Sequence, residues 1–167
     1  PILLMCKAQK ANLQDRYPPP VVRPAQNKIV VSAAVILKGK KTYIQQRPRN
    51  GLMGGLWEFP GGKMEKNETP EECLKREIQE ELGVDVEIES KLMTIRHSYT
   101  QFRVTLHVYL CRLTSGRIRA TQCEQWKWVP FGELESYPFP SANAKIVEYL
   151  CNSFQKTEKH VQVLEKK

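Results

Sequence analysis

The chain has no apolar run approaching the roughly 20 residues that cross a bilayer. Its opening Pro1-Ile-Leu-Leu-Met5 stops too abruptly to be a signal-peptide core. Both absences argue for an intracellular, cytoplasmic chain with no membrane partner. The Cys-x-x-Cys spacing of a zinc site is also missing. Cys6, Cys73, Cys111, Cys123 and Cys151 are scattered and odd in number, which reads as reduced thiols, several of them in the core. No internal repeat is visible. What is present suffices for one compact domain: 167 residues, 41% of them hydrophobic and 26% charged.

Acidic residues are the minority, 18 against 26 basic, and the surplus of +8 is unevenly placed. Lys7, Lys10, Arg16, Arg23 and Lys28 outweigh Asp15 in the first 30 residues, and four lysines outweigh two glutamates from Lys156 onward. Basic ends around a nearly balanced centre attract polyanions such as nucleotides or nucleic acid, or are simply solvated ends. Pro18-Pro-Pro20 and Pro24 enforce extended backbone, so residues 1–28 read as an extended basic lead-in or linker. Residues 29–155 then form the folded domain, and 156–167 a charged tail.

The β-branched run Ile29 to Leu37 predicts a buried strand, and Thr42 to Gln46 a second one after a turn at Gly39. Arg49 to Gly55 reads as a flexible loop. Thr69, Pro70 and Glu72 spell a capped helix start, Leu74, Ile78 and Leu82 its apolar stripe, and Gly83 its stop. Val84 to Ile95, Phe102 to Leu113 and Trp126 to Val129 read as strands, and Ser141 to Phe154 as a second helix. The order argues for a mixed sheet covered by helices, an α/β fold.

Glu77, Glu80 and Glu81 fall on one side of the first helix, where three carboxylates repel unless a cation joins them. Mg²⁺ is the hard cation that takes such oxygen ligands and accepts phosphate oxygens beside them; Mn²⁺ is the alternative. Arg76 and Glu68 are placed to hold these carboxylates in orientation. A solvated acidic helix face is the plainer reading of the same residues.

The exact spacing shifts the balance between them. Gly62-x5-Glu68-x7-Arg76-Glu77-Ile78-x-Glu80-Glu81-x-Gly83-Val84 specifies nine positions over 23 residues. It resembles the Nudix signature at every one. The resemblance implies an α/β/α sandwich and attack of water on a diphosphate linkage. It assigns metal ligation to Glu77, Glu80 and Glu81 with a backbone carbonyl at or beside Gly61. A glutamate on a later loop acts as base in some members, and Glu124 stands about where that residue falls; a solvated loop glutamate is its other reading.

Further segments resemble two branches of that family. Leu56-Trp-Glu-Phe-Pro-Gly-Gly-Lys63 is similar to the MutT-type 8-oxo-dGTP diphosphatases and to the C-terminal domain of adenine DNA glycosylase. Tyr137-Pro-Phe-Pro-Ser-Ala-Asn143 resembles the segment whose asparagine contacts oxidised guanine in the first branch. That resemblance makes Arg47, Phe59, Gly62, Lys63 and Asn143 the substrate-binding candidates. Phe59 is alternatively a core residue, and Asn143 alternatively a helix cap beside Ser141. As a base reader Asn143 offers donors and an acceptor to a purine edge.

His97 to His107 is similar to the strand-loop-strand with which the glycosylase domain approaches a lesion. Tyr99-Thr-Gln101 departs from that family's loop. Cys6-Lys-Ala resembles its last iron–sulfur cysteine, although one cysteine cannot hold a cluster. Two expectations follow. The first is an enzyme converting an oxidised purine nucleoside triphosphate to monophosphate and pyrophosphate. The second is a lesion-reading domain whose partner is DNA containing 8-oxoguanine, either as part of a longer glycosylase or as its stand-alone descendant. A Nudix enzyme for another nucleoside diphosphate derivative, such as a nucleotide sugar, is the third.

Overall fold

The computed structural model describes residues 27–164. The readings placed on Cys6 and on the proline-rich lead-in lie outside the described residues. The elements are β1 (Asn27–Lys38), β2 (Lys41–Gln46), β3 (Trp57–Glu58), β4 (Gly61–Lys63), α1 (Pro70–Leu82), β5 (Asp85–Ser98), β6 (Phe102–Ser115), β7 (Gln125–Pro130), a 3₁₀ helix (Phe131–Ser136) and α2 (Ser141–Leu164).

The strands form one mixed sheet in the order β3-β2-β1-β6-β5, with β4 joining β1 and β7 joining β2. Only the β1–β6 pair is parallel, in register from Asn27↔Phe102 to Leu37↔Arg112. On its other edge β1 changes partner. Leu37 and Lys38 pair with β2, whereas Val31 to Ala33 pair with Lys63 to Gly61 of β4. The sheet therefore forks at the point where the two glycines enter.

Two cores lie on opposite faces of the sheet. Ala33 and Val35 of β1 pack with Val104, Leu106 and Val108 of β6 beneath Ile146, Val147 and Leu150 of α2. Ala34 and Ile36 pack with Tyr43 and Tyr109 beneath Leu74, Ile78 and Leu82 of α1. Burial on both faces explains why β1 reads as an unbroken apolar run rather than an alternating one. Each large aliphatic side chain so buried contributes roughly 1.5–3 kcal/mol. The arrangement is the expected α/β/α sandwich.

The first helix begins as the residues require. Thr69 Oγ1 accepts from the Glu72 amide at 3.2 Å, the Glu72 carboxylate accepts from the Thr69 amide at 2.8 Å, and the helix closes at Gly83. Three details add to the expectations, and the last amends one. Trp57–Glu58 and Gly61–Lys63 are short strands with no signal of their own in the sequence, formed because β1 and β2 offer them edges to pair with. The Arg49–Gly55 loop is closed on itself, with Arg47 and Leu56 bonded amide to carbonyl at 2.9 Å and Gly55 bonded back to Arg47 at 3.1 Å. The second helix continues past Phe154 to Leu164, into the segment read as a tail. Among the described residues no helix is long and apolar enough to cross a membrane, and Cys73, Cys111, Cys123 and Cys151 are free thiols.

Candidate active site

A cavity of about 520 Å³ opens where the sheet forks. Its floor is β4 and α1, and its far wall is the start of α2 and the β5–β6 turn. Arg47, Phe59, Gly61, Gly62, Lys63, Glu77, Glu81 and Asn143 all line it. Eight of the sequence-derived candidates, drawn from four separate stretches of chain, thus meet at one place.

The glycines set the geometry of the floor. Gly61 has φ +139°, a conformation that a side chain disfavours, and a Cβ there would lie 2.1 Å from the Ser32 carbonyl oxygen. A Cβ on Gly62 would lie 2.2 Å from Cδ of Glu77. The carboxylate of Glu77 consequently rests against bare backbone. Its other support is Arg76, whose Nη1 donates to Glu77 Oε1 at 2.9 Å and to Glu80 Oε2 at 3.3 Å. The same guanidinium holds Glu68 with two bonds of 2.8 and 3.0 Å and reaches the Lys63 carbonyl at 3.2 Å. Hydrogen bonds from Arg76 and from the Glu65 amide hold the Glu68 carboxyl well below the usual range, at about 2.

Glu81 is treated differently. Its Oε2 accepts from the Gly61 amide at 3.2 Å and from Gln45 Nε2 at 3.0 Å. Burial first, then the negative charges of Glu58 and Glu77, push its carboxyl up to about 7 despite those two donors. Glu80 points away, its side chain 54% exposed. Helical arithmetic accounts for this: at about 100° per residue Glu77 and Glu81 are about 40° apart, while Glu80 is about 100° from Glu81. Among the described residues no three acidic, histidine or cysteine side chains close on one point.

At the other end of the cavity Phe59 is 2% exposed and stacks on Phe139 with centroids 5.6 Å apart. It is both core residue and pocket wall. Its amide donates to Asn143 Oδ1 at 3.3 Å. One lone pair of the Asn143 oxygen is therefore already engaged by main chain, and the NH₂ is the freer group to offer a ligand. The α2 terminus is capped from a distance, Tyr99 Oη accepting from the Ala142 amide at 3.1 Å. Arg47 is paired with Glu58 and bonded through Nε to the Leu52 carbonyl at 2.9 Å. Glu124 is not brought to the cavity, because its Oε1 accepts from the Arg49 amide at 3.2 Å.

Residue-by-residue reading missed Gln45, Glu58 and Tyr99. Gln45 and Glu58 are direct partners across the β2–β3 pair, and only that register reveals them. Tyr99 stood in the quoted loop, but its inward hydroxyl depends on where α2 begins.

The perturbed carboxyls make a pH prediction for the metal-free chain. Glu81 titrates higher folded than unfolded, so the folded state is penalised as pH rises from about 4.5 through about 7. That penalty reaches roughly 3 kcal/mol. Urea midpoints should fall between pH 5 and 8, and Glu81→Gln should flatten the fall. Glu68 acts oppositely, its contribution being lost only as pH drops toward about 2.

Oxygen donors on a helix, set against a glycine floor and facing a pocket with an aromatic wall, are what a hydrolase of phosphate anhydrides needs. A family model described as the NUDIX domain matches residues 32–149, and the chain belongs to that family. An 8-oxo-dGTP diphosphatase of Proteus vulgaris is 46% identical over 86 residues, which is 51% of this chain and 77% of the relative. A CTP pyrophosphohydrolase of Escherichia coli (strain K12) is 30% identical over 120 residues, 72% of this chain and 89% of the relative. The solution structure of the MutT protein of methicillin-resistant Staphylococcus aureus, a Nudix hydrolase, gives a TM-score of 0.65 at 32% identity. It covers 77% of this chain and 98% of that one. Nudix hydrolases work with a divalent metal ion.

Proposed function

We propose that the chain is a Mg²⁺-dependent pyrophosphohydrolase converting oxidised purine nucleoside triphosphates, of which 8-oxo-dGTP is the type, to monophosphate and pyrophosphate. The observation that carries this is one cavity lined both by the carboxylates of Glu77 and Glu81 and by Phe59 and Asn143. Its volume of about 520 Å³ suits a nucleotide with the phosphates toward Glu77 and Glu81 and the base toward Phe59 and Asn143.

The donor set fits a hard divalent cation. Glu77, Glu81 and the Gly61 carbonyl would offer the ion oxygen alone, the exposed Glu80 would join them only by turning toward the cavity, and Glu81 sits among negative charges that call for compensation. When bound, the cation supplies positive charge against the phosphates and makes water easier to deprotonate. Arg76, anchored on Glu68, orients Glu77 and Glu80. A helix carboxylate accepts the proton of the attacking water. Arg47 and Lys63 are the cations on the cavity wall that meet the substrate's negative charge. Pyrophosphate release with Mg²⁺ from a panel of 8-oxo-dGTP, dGTP, dATP and CTP tests the reading; release from none of them at any Mg²⁺ concentration ends it.

Asn143 carries the base preference. Its NH₂ suits the O6 acceptor of a guanine edge and not the amino group of adenine. Asn143→Asp keeps the oxygen that braces the Phe59 amide and removes the donors. The variant should lose roughly 1–3 kcal/mol of preference for its favoured purine, read as ratios of kcat/KM. An unchanged ratio would leave Asn143 as a brace for Phe59 alone.

One observation supports the lesion-reading alternative. Thr100 and Gln101 are exposed at the β5–β6 turn, next to exposed Arg96 and Arg103. Tighter binding of duplex containing 8-oxoguanine than of undamaged duplex, with no pyrophosphate release, is the result that would favour it.

A further inference from the structure

We propose that Gln45 is a positioning residue for Glu81, chosen because it is a hydrogen-bond donor that carries no charge. The inference rests on the reading of Glu81 as a cation ligand. Gln45 is 3% exposed, a buried polar side chain on β2. Its Nε2 donates to Glu81 Oε2 at 3.0 Å, and the Gly61 amide reaches the same oxygen at 3.2 Å. Both donors meet one atom, so the carboxylate is pinned there while its other oxygen remains for the cavity. The Tyr43 hydroxyl donates to Gln45 Oε1 at 3.4 Å, which sets the amide with its nitrogen toward the acid. Gln45 also lies opposite Glu58 across the β2–β3 pair, and Glu58 is paired with Arg47.

The contrast with Arg76 supplies the reason. Glu68, Glu77 and Glu80 all share one guanidinium. Glu81, which lines the cavity with Glu58 and Glu77, has a neutral amide where a carboxylate withdrawn from water ordinarily has a cation. A lysine or arginine at position 45 would hold the same oxygen and stabilise the carboxylate, but it would also cancel the negative potential that attracts a divalent ion. The amide fixes direction and leaves the field intact.

The test uses Mn²⁺ alone, with free ion followed by electron paramagnetic resonance, on the parent, Gln45→Met, Gln45→Lys and Glu81→Gln. Gln45→Met keeps length and loses the donor, and its Mn²⁺ dissociation constant should rise about 10- to 100-fold. Gln45→Lys restores a donor but adds charge. It should lose Mn²⁺ affinity to a similar degree while its metal-free thermal midpoint stays at or above the parent's. In turnover assays kcat should fall while the nucleotide KM at saturating metal moves less than about threefold.

Mn²⁺ affinity of Gln45→Met within about twofold of the parent, or full rescue by Gln45→Lys, overturns the proposal. Should Gln45→Met fail to fold, Gln45→Lys decides alone, and parental affinity there is the overturning result. Glu81→Gln separates the two levels of the argument. If it too leaves Mn²⁺ affinity unchanged, the ligand assignment fails; if only the Gln45 variants are silent, the ligand assignment stands and the positioning role falls.

Discussion

Glu81→Gln should fold normally, gain stability at pH 8, and turn over at least about 10²-fold more slowly than the parent at saturating Mg²⁺. The amide has the size and helix propensity of the acid. Its carbonyl can still accept from the Gly61 amide and Gln45, so nothing in the packing requires rearrangement. What disappears is a charge that the folded state holds at a cost, shown by a carboxyl pushed up to about 7 by burial and by Glu58 and Glu77. Activity and stability should therefore move in opposite directions, the pattern expected when a destabilising group is kept for function. The measurements are pyrophosphate release and the metal-free thermal midpoint at pH 8. Turnover within a few-fold of the parent would contradict the assignment of Glu81.

Gly62→Ala should also lose about 10²-fold or more in kcat, by a different route. The added methyl would occupy the place of the Glu77 carboxylate, 2.2 Å from Cδ. The obstructed atoms are the free end of a flexible side chain, so the protein yields by swinging Glu77 aside, and the thermal midpoint should change little. Gly61→Ala provides the control. There the methyl meets the Ser32 carbonyl at 2.1 Å, in main chain, and φ of +139° is itself unfavourable. The cost should appear as lost stability of roughly 1–3 kcal/mol or more. Adjacent glycines thus fail in distinguishable ways, one by disarming the acidic helix and one by straining the β1–β4 pairing. Parental kcat in Gly62→Ala would mean that Glu77 does not act from the position seen here.

Local rules made α1 legible, because a capping box, a stripe at steps of four and a terminal glycine all act within a few residues. The spacing of Glu68, Arg76, Glu77 and Glu81 was legible for the same reason, since a helix converts sequence intervals into angles. Glu80 shows the limit: sharing a helix side is not sharing a direction. The pairs that complete the site are decided by register between distant segments. Gln45 meets Glu58 only because β2 and β3 align as they do. The oxygen of Asn143 is engaged only because the Phe59 amide lies 84 positions earlier in the chain and opposite in space. Strands of two and three residues, such as β3 and β4, carry no periodicity to read, and a neighbouring edge creates them.

The parallel pairing of β1 with β6 also governs how the protein reaches this structure. Ile29 aligns with Val104, so about 75 residues must be looped before the central ladder can close. The carboxylates of the first helix, Gly61 and Gly62 lie inside that loop. Closing it is entropically expensive and comes before the reward of the long ladder, which favours slow folding in a single late step. A nascent chain emerging from the ribosome can form α1 and its cap early, but the pocket takes shape only after β6 has been made. Substitutions along the β1–β6 seam should accordingly slow folding itself, whereas those in the pocket should leave folding rates largely untouched.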